Sequence, residues 1–204
     1  MSSSPPASPE PTTSSAARSG RSWGVTLLWI APLLFMLVVL VYGLMTRQAA
    51  DPGDGFPRIG QPLADFTLPD LHGRRVQLAA LRGKVVFINV WATWCQPCID
   101  EMPTIQRLYD LLQARGLEVL AVSLDPLGEQ VVAPFMRDHQ LTFPVLLDPA
   151  NSVERLYGTT GVPESFIVDK RGILVEKVVG PRDWSHPQML TTFERLLALS
   201  HTQP

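Results

Sequence analysis

Val85-Val86-Phe87-Ile88-Asn89-Val90-Trp91-Ala92-Thr93-Trp94-Cys95-Gln96-Pro97-Cys98 is the most telling stretch of this 204-residue chain. Its first half, Val85 to Trp91, is a near-continuous apolar run, which suits a strand buried on both faces of a sheet. Beyond the second cysteine, Ile105, Leu108, Leu111 and Leu112 recur at helical spacing, so a helix is expected from about Pro97 to Ala114, with Gly116 as its stop. Pro103 should kink that helix. Cys95 and Cys98 are the only cysteines. A lone pair at this spacing, set where a strand gives way to a helix, reads as a redox or metal device and not as packing.

Outward from this core, Phe66 to Leu68 and Val76 to Leu78 look like short strands around a turn at Asp70 to Gly73. Leu117 to Leu124 reads as a second buried strand. Glu129 to His139 has a helical pattern that Pro134 either starts or bends. Pro144 to Leu147, Ser165 to Val168 and Ile173 to Val179 supply further strands. The last two are joined by Asp169-Lys170-Arg171-Gly172, a tight-turn sequence for a hairpin. Pro187 to Leu199 closes the pattern as an amphipathic helix facing inward through Met189, Leu190, Phe193, Leu196 and Leu197. The order predicts an α/β domain, with a mixed central sheet flanked by helices.

The domain is expected over residues 62–200. Ahead of it, residues 1–22 contain eight Ser and four Pro, too little apolar surface to offset the entropy of ordering, and read as a disordered tail. Residues 23–46 form an apolar segment with no charge between Trp23 and Met45, long enough to cross a bilayer as a helix. Its length exceeds the apolar region of a secretory signal, and Gln48-Ala49-Ala50 makes a poor cleavage site, so an uncleaved transmembrane anchor is expected. Arg18 and Arg21 before the span against Arg47 behind it favour a cytoplasmic N-terminus and an outward-facing domain. No cysteine ends the apolar run, which argues against a lipoprotein anchor. Residues 47–61, with Asp51-Pro52-Gly53-Asp54-Gly55, read as a linker.

A net charge of −2 and a pI near 6.1, without a run of basic residues, argue against nucleic acid as a partner. Hydrophobic residues make up 46% of the chain, enough for one sizeable core plus the anchor.

Trp94-Cys95-Gln96-Pro97-Cys98 at a strand-to-helix junction, together with Val162-Pro163 ahead of a later strand, resembles a thioredoxin-fold domain. More narrowly, the chain resembles the membrane-tethered, extracytoplasmic thiol-disulfide oxidoreductases of the TlpA, ResA and DsbE (CcmG) group. The single anchor, Asn89 to Trp94, Glu101 after the second cysteine, and Gly161-Val162-Pro163-Glu164 leading into Ser165 to Asp169 carry that narrower likeness. The resemblance implies a redox-active disulfide between Cys95 and Cys98. It also implies a cis peptide before Pro163, with Val162 offering backbone groups to an extended substrate.

Position suggests the division of labour. Cys95 falls just before a helix N-terminus, where unpaired N–H groups favour a thiolate, and is expected to attack. Cys98, one turn in, is expected to resolve the mixed disulfide. Trp94 is expected at the surface as an apolar docking edge beside the sulfur. Where ordinary thioredoxins bury an acid, two residues before Trp91, this chain has Asn89. Glu101, three residues after Cys98 on one helical face, and Glu164, after Pro163, are expected to replace it as a pair: they would raise the thiol pKa values and relay a proton to or from Cys98. The bland reading makes Glu101 a solvated helix-end carboxylate.

No cofactor and no metal site are expected: two cysteines fall short of a closed zinc site, and His72, His139 and His186 are scattered. Copper delivery through the two thiolates is one alternative; a redox-silent binding module is another. A peroxidase would need Thr-x-x-Cys, whereas Thr93 stands two positions before Cys95. The expected function is reduction of client-protein disulfides outside the bacterial cytoplasmic membrane, or general disulfide reduction or oxidation with other clients. By resemblance the favoured client is the Cys-x-x-Cys-His segment of apocytochrome c, during cytochrome c maturation. An oxidising compartment would require electrons passed through the membrane; resemblance points to a transmembrane thiol-reductase donor of the DsbD or CcdA kind.

Overall fold

The computed structural model describes residues 32, 34–41 and 56–199. The expected tail over 1–22 and most of the expected anchor and linker lie outside these residues. Within the anchor, residues 34–41 are helical and exposed. Among the described residues, no helix is long and apolar enough to cross a membrane.

The domain is built on β3 (Val85–Trp91), in which all seven residues are buried. A strand can be apolar throughout only when both faces are covered, and β3 lies at the centre of a five-stranded sheet. It pairs in parallel with β4 (Leu117–Ser123), which pairs in parallel with β5 (Val145–Leu147). On its other side β3 pairs antiparallel with β6 (Glu164–Val168), which pairs antiparallel with β7 (Leu174–Val179). The sheet is therefore mixed, and the β6–β7 hairpin turns at Asp169 to Gly172 as expected. A separate antiparallel pair, β1 (Thr67–Pro69) and β2 (Arg75–Gln77), stands ahead of it.

Alternation along β3 divides the core in two. Val85, Phe87 and Trp91 join Cys98, Met102, Ile105 and Leu108 of α1 (Gln96–Leu112) and Met189, Phe193, Leu196 and Leu197 of α4 (Pro187–Ala198). Val132 and Met136 of α2 (Glu129–Asp138) belong to the same cluster. Val86, Ile88 and Val90 pack with Phe66, Leu68, Phe166, Val168 and Tyr157 in the other. Burial pushes the Tyr157 hydroxyl pKa far up, aided by the charge of Asp65, and the hydroxyl donates to Ala64 O at 2.8 Å.

Helix α1 continues past Pro103, and Pro134 lies inside α2, so of the two roles expected for it the helix start is excluded. Helix α3 (Ser152–Tyr157) was not foreseen. Six residues are too few to display a helical period. This helix is held instead by Asp148, whose buried carboxylate accepts from Ser152 N, Ser152 Oγ and Val153 N at 2.7–2.9 Å. Of the four residues at helical spacing on α1, Ile105, Leu108 and Leu112 are buried and Leu111 is exposed. Gly116, at φ 102°, closes the turn after α1 in the left-handed region that a side chain would strain.

Candidate active site

Leaving the end of β3, the backbone crosses Ala92 to Trp94 and enters α1 at Cys95, which is the N-cap. The carboxylate of Asp125, buried beyond β4, holds this crossing. It accepts from Thr93 N at 3.0 Å, Thr93 Oγ1 at 2.6 Å and Ser123 Oγ at 2.8 Å. Cys95 and Cys98 are joined by a disulfide. Cys98 N donates to Cys95 Sγ at 3.3 Å, so the first-turn N–H that would otherwise lack a partner points at this sulfur. The same contact favours negative charge on Cys95 once the bond is reduced. Cys98 is fully buried, whereas Cys95 retains a little exposure. Trp94 is 66% exposed and Trp91 is buried against Phe135.

The loop before β6 faces the disulfide from across the site. The Val162–Pro163 peptide is cis, and Val162 O lies 3.5 Å from Cys95 Sγ. A reduced Cys95 thiol could donate to that carbonyl; an incoming extended chain would find the remaining backbone groups of the loop beside the sulfur.

Glu101 is 3% exposed, which overturns the solvated reading. One of its oxygens accepts from Asn89 Nδ2 at 2.8 Å; the other accepts from Trp184 Nε1 and Arg182 N, each at 3.1 Å. Asn89 Nδ2 also donates to Ser165 Oγ at 3.0 Å. Burial raises the Glu101 pKa, and the hydrogen bonds from Trp184, Asn89 and Arg182 oppose that rise without cancelling it. The Arg182 guanidinium turns away to Glu176, and among the described residues no cation pairs with the carboxylate. Residues Asp100, Thr104, Pro181, Arg182 and Asp183 surround a shallow depression that reaches Glu101 from solvent. Asn89, at the position where the resemblance expected an acid, thus orients the Glu101 carboxylate.

Glu164 is placed elsewhere. Asn89 pairs with Ser165 across the β3–β6 ladder, and alternation sends the neighbouring Glu164 to the opposite face of the sheet. There it is fully buried, ion-paired to Lys177 Nζ, and accepts from Thr160 N at 3.3 Å. The expected pairing of the two carboxylates therefore gives way to a separation. Glu101 shares a face with Cys98; Glu164 ties the loop carrying Pro163 to β7. Lys177, lying over the Phe166 ring as well, carries nothing in the sequence to mark it as this partner. Trp184 and Asp125 were also missed. Trp184 is a lone aromatic in the turn-rich stretch Pro181 to Pro187, and that isolation was the only available signal.

His139 stacks on Phe135, and His186 Nδ1 accepts from Gln188 N as the cap of α4. His72 N donates to Asp70 in a turn.

Comparison with known proteins gives concordant results. Residues 59–177 match the AhpC/TSA family. The chain is 38% identical over 153 residues to thiol-disulfide oxidoreductase ResA of Bacillus cereus (strain ZK / E33L), covering 72% of this chain and 88% of that one. Against ResA of Bacillus subtilis (strain 168) it is 32% identical over 155 residues, covering 75% and 85%. Among solved structures, one from Chlorobium tepidum, provisionally assigned as thiol:disulfide interchange protein DsbE, superposes with a TM-score of 0.64 at 31% identity, covering 70% of this chain and 99% of that chain.

Proposed function

The chain belongs to the AhpC/TSA family and is a thiol-disulfide oxidoreductase of the ResA and DsbE type, and from that footing we propose that it works as a reductant of client-protein disulfides outside the cytoplasmic membrane. Residues 23–46 anchor it there with the N-terminus inside. The favoured client is the Cys-x-x-Cys-His segment of apocytochrome c, and the electron donor is a transmembrane thiol reductase.

The buried carboxylate of Glu101, three residues from Cys98 and without an ion pair among the described residues, is the observation that carries the reading. In the reduced protein the Cys95 thiolate attacks one sulfur of the client disulfide, forming a mixed disulfide and expelling the other client sulfur as a thiolate. Cys98 then loses its proton and attacks Cys95 Sγ. The protein disulfide forms, the second client sulfur leaves as thiolate, and two electrons have passed to the client. Burial makes the Cys98 thiol reluctant to ionise. Glu101, whose own pKa burial has raised, is a stronger base than an exposed carboxylate and is reached from solvent through the adjoining depression. It therefore suits acceptance of that proton. Val162 and Pro163 position the client chain, Trp94 gives it an apolar edge, and Glu164 acts through the loop it fastens.

An equilibrium titration of the full chain in detergent against a thiol–disulfide buffer tests the direction of flow. A potential near the reducing end of the thioredoxin-like range, about −270 mV, is expected; one near about −120 mV would overturn the reductant reading and favour disulfide donation.

A further inference from the structure

A groove of about 390 Å³ opens directly beside the disulfide. Trp94 and Val162, the residues adjoining the attacking cysteine and the cis proline, line it together with Leu124, Pro126, Asn151 and Glu154. Leu127, next to Pro126, is 61% exposed. The groove thus has apolar walls and adjoins the sulfur of Cys95, from which Val162 O lies 3.5 Å away.

One wall residue is charged. Glu154 is half-buried at the wall of the groove, and its carboxylate makes no hydrogen bond or ion pair to any described residue. Its neighbour Arg155 is directed to Ala150 O and leaves the charge of Glu154 unbalanced. A cation carrying N–H groups gives this carboxylate a partner; an acidic side chain is repelled by it and a purely apolar one offers it no donor.

We infer that this groove selects clients: it takes an extended segment whose reactive cysteine is accompanied by a basic side chain, apolar contacts falling on Trp94 and Leu124 and the cation on Glu154. The inference rests on the oxidoreductase reading above and adds to it a class of substrate. In an extended chain successive side chains alternate in direction and advance about 3.3 Å per residue, so only some registers can bring the cation to Glu154.

The test uses the full chain in detergent, turned over with dithiothreitol. Substrates are neutral single-cysteine peptides held as mixed disulfides with 2-mercaptoethanol, with lysine or norleucine placed in turn at each of the three positions on either side of the cysteine. In at least one register lysine should raise kcat/KM about two- to five-fold over norleucine, through KM, since a screened ion pair at a partly exposed site is worth no more. Added salt should shrink the ratio. Glu154→Gln should remove the lysine preference, Glu154→Lys should turn it into a penalty, and Glu194→Gln, on the exposed part of α4, should leave it as in the wild type. Because the readout is a ratio within each protein, a partly unfolded variant cannot imitate the result. A wild type that reduces bis(2-hydroxyethyl) disulfide yet prefers lysine in no register, or a preference that survives Glu154→Gln, would overturn the docking inference alone. A wild type that reduces neither substrate would overturn the oxidoreductase reading with it.

Discussion

In the Glu101→Gln protein, client-disulfide reduction at neutral pH should fall by about 100-fold, the lower end of what a positioned proton acceptor contributes. Alkylation of Cys95 in the reduced protein should change far less, because that sulfur is served by the helix N-terminus and Cys98 N. The loss should appear in the step that resolves the mixed disulfide, and the inflection of the pH–rate profile that belongs to the carboxylate should vanish.

The fold should survive the change. Glutamine can keep one oxygen toward Trp184 Nε1 and Arg182 N; its amide then meets Asn89, whose Oδ1 is unpartnered and can turn to accept it. Linkage supplies an independent check. Burial raises the Glu101 pKa above the ordinary carboxyl value of 4.5, so between the two values the folded protein holds a proton that the unfolded chain has released. Wild-type stability should therefore decline as pH rises from about 4.5 through the raised value, then level off. Glutamine has no such decline, and its stability relative to wild type should improve with pH across that window, as urea midpoints at acid and neutral pH would report. An exchange rate and pH profile both unchanged in Glu101→Gln would remove the residue from the mechanism.

Trp184→Ala carries the largest expected loss of stability, about 3–5 kcal/mol, as for other fully buried aromatic rings truncated to a methyl group. Its ring centroid lies 4.4 Å from that of Phe87, Trp184 N donates to Thr104 Oγ1 at 3.1 Å, and no part of the side chain is exposed. The substitution would open a cavity between α1 and the sheet and deprive Glu101 of a donor together. Trp184→Phe separates the two effects by retaining most of the ring while deleting the indole N–H. That hydrogen bond lowers the Glu101 pKa, so its loss should move the carboxylate inflection to higher pH in a protein that still unfolds cooperatively. Urea denaturation and the pH–rate profile read the two consequences. A Trp184→Ala protein within about 1 kcal/mol of wild type would contradict the packing account, since cavity formation alone should exceed that. An unmoved inflection in Trp184→Phe would contradict the electrostatic one.

What could be read in advance divides along physical lines. Strand β3 and the entry into α1 were legible because burial on both faces demands a near-continuous apolar run, and because paired cysteines at a helix start have few other uses. The β6–β7 hairpin was legible from its turn residues. Helix α3 was not, because its stability comes from the Asp148 cap more than from periodicity. The site shows the same division. Cys95, Cys98 and Glu101 lie within one helix and share a spacing, whereas Asn89, Ser165 and Trp184 meet Glu101 only after the chain folds. Trp184 lies 83 residues away from it. Glu164 misled because adjacency to Pro163 in sequence says nothing of which sheet face a side chain takes. One residue of offset from Ser165 put it on the far side, against Lys177.

The division of labour between the two sulfurs is the claim on which the rest depends, and trapping with the full-length Cys98→Ser protein in membranes of its own cell type tests it most directly. Without the resolving sulfur, client proteins should accumulate as adducts on Cys95 that dithiothreitol releases, and the additional Cys95→Ser change should abolish them. A Cys98→Ser protein that is folded and alkylates normally at Cys95, yet collects no such adducts, would contradict the account.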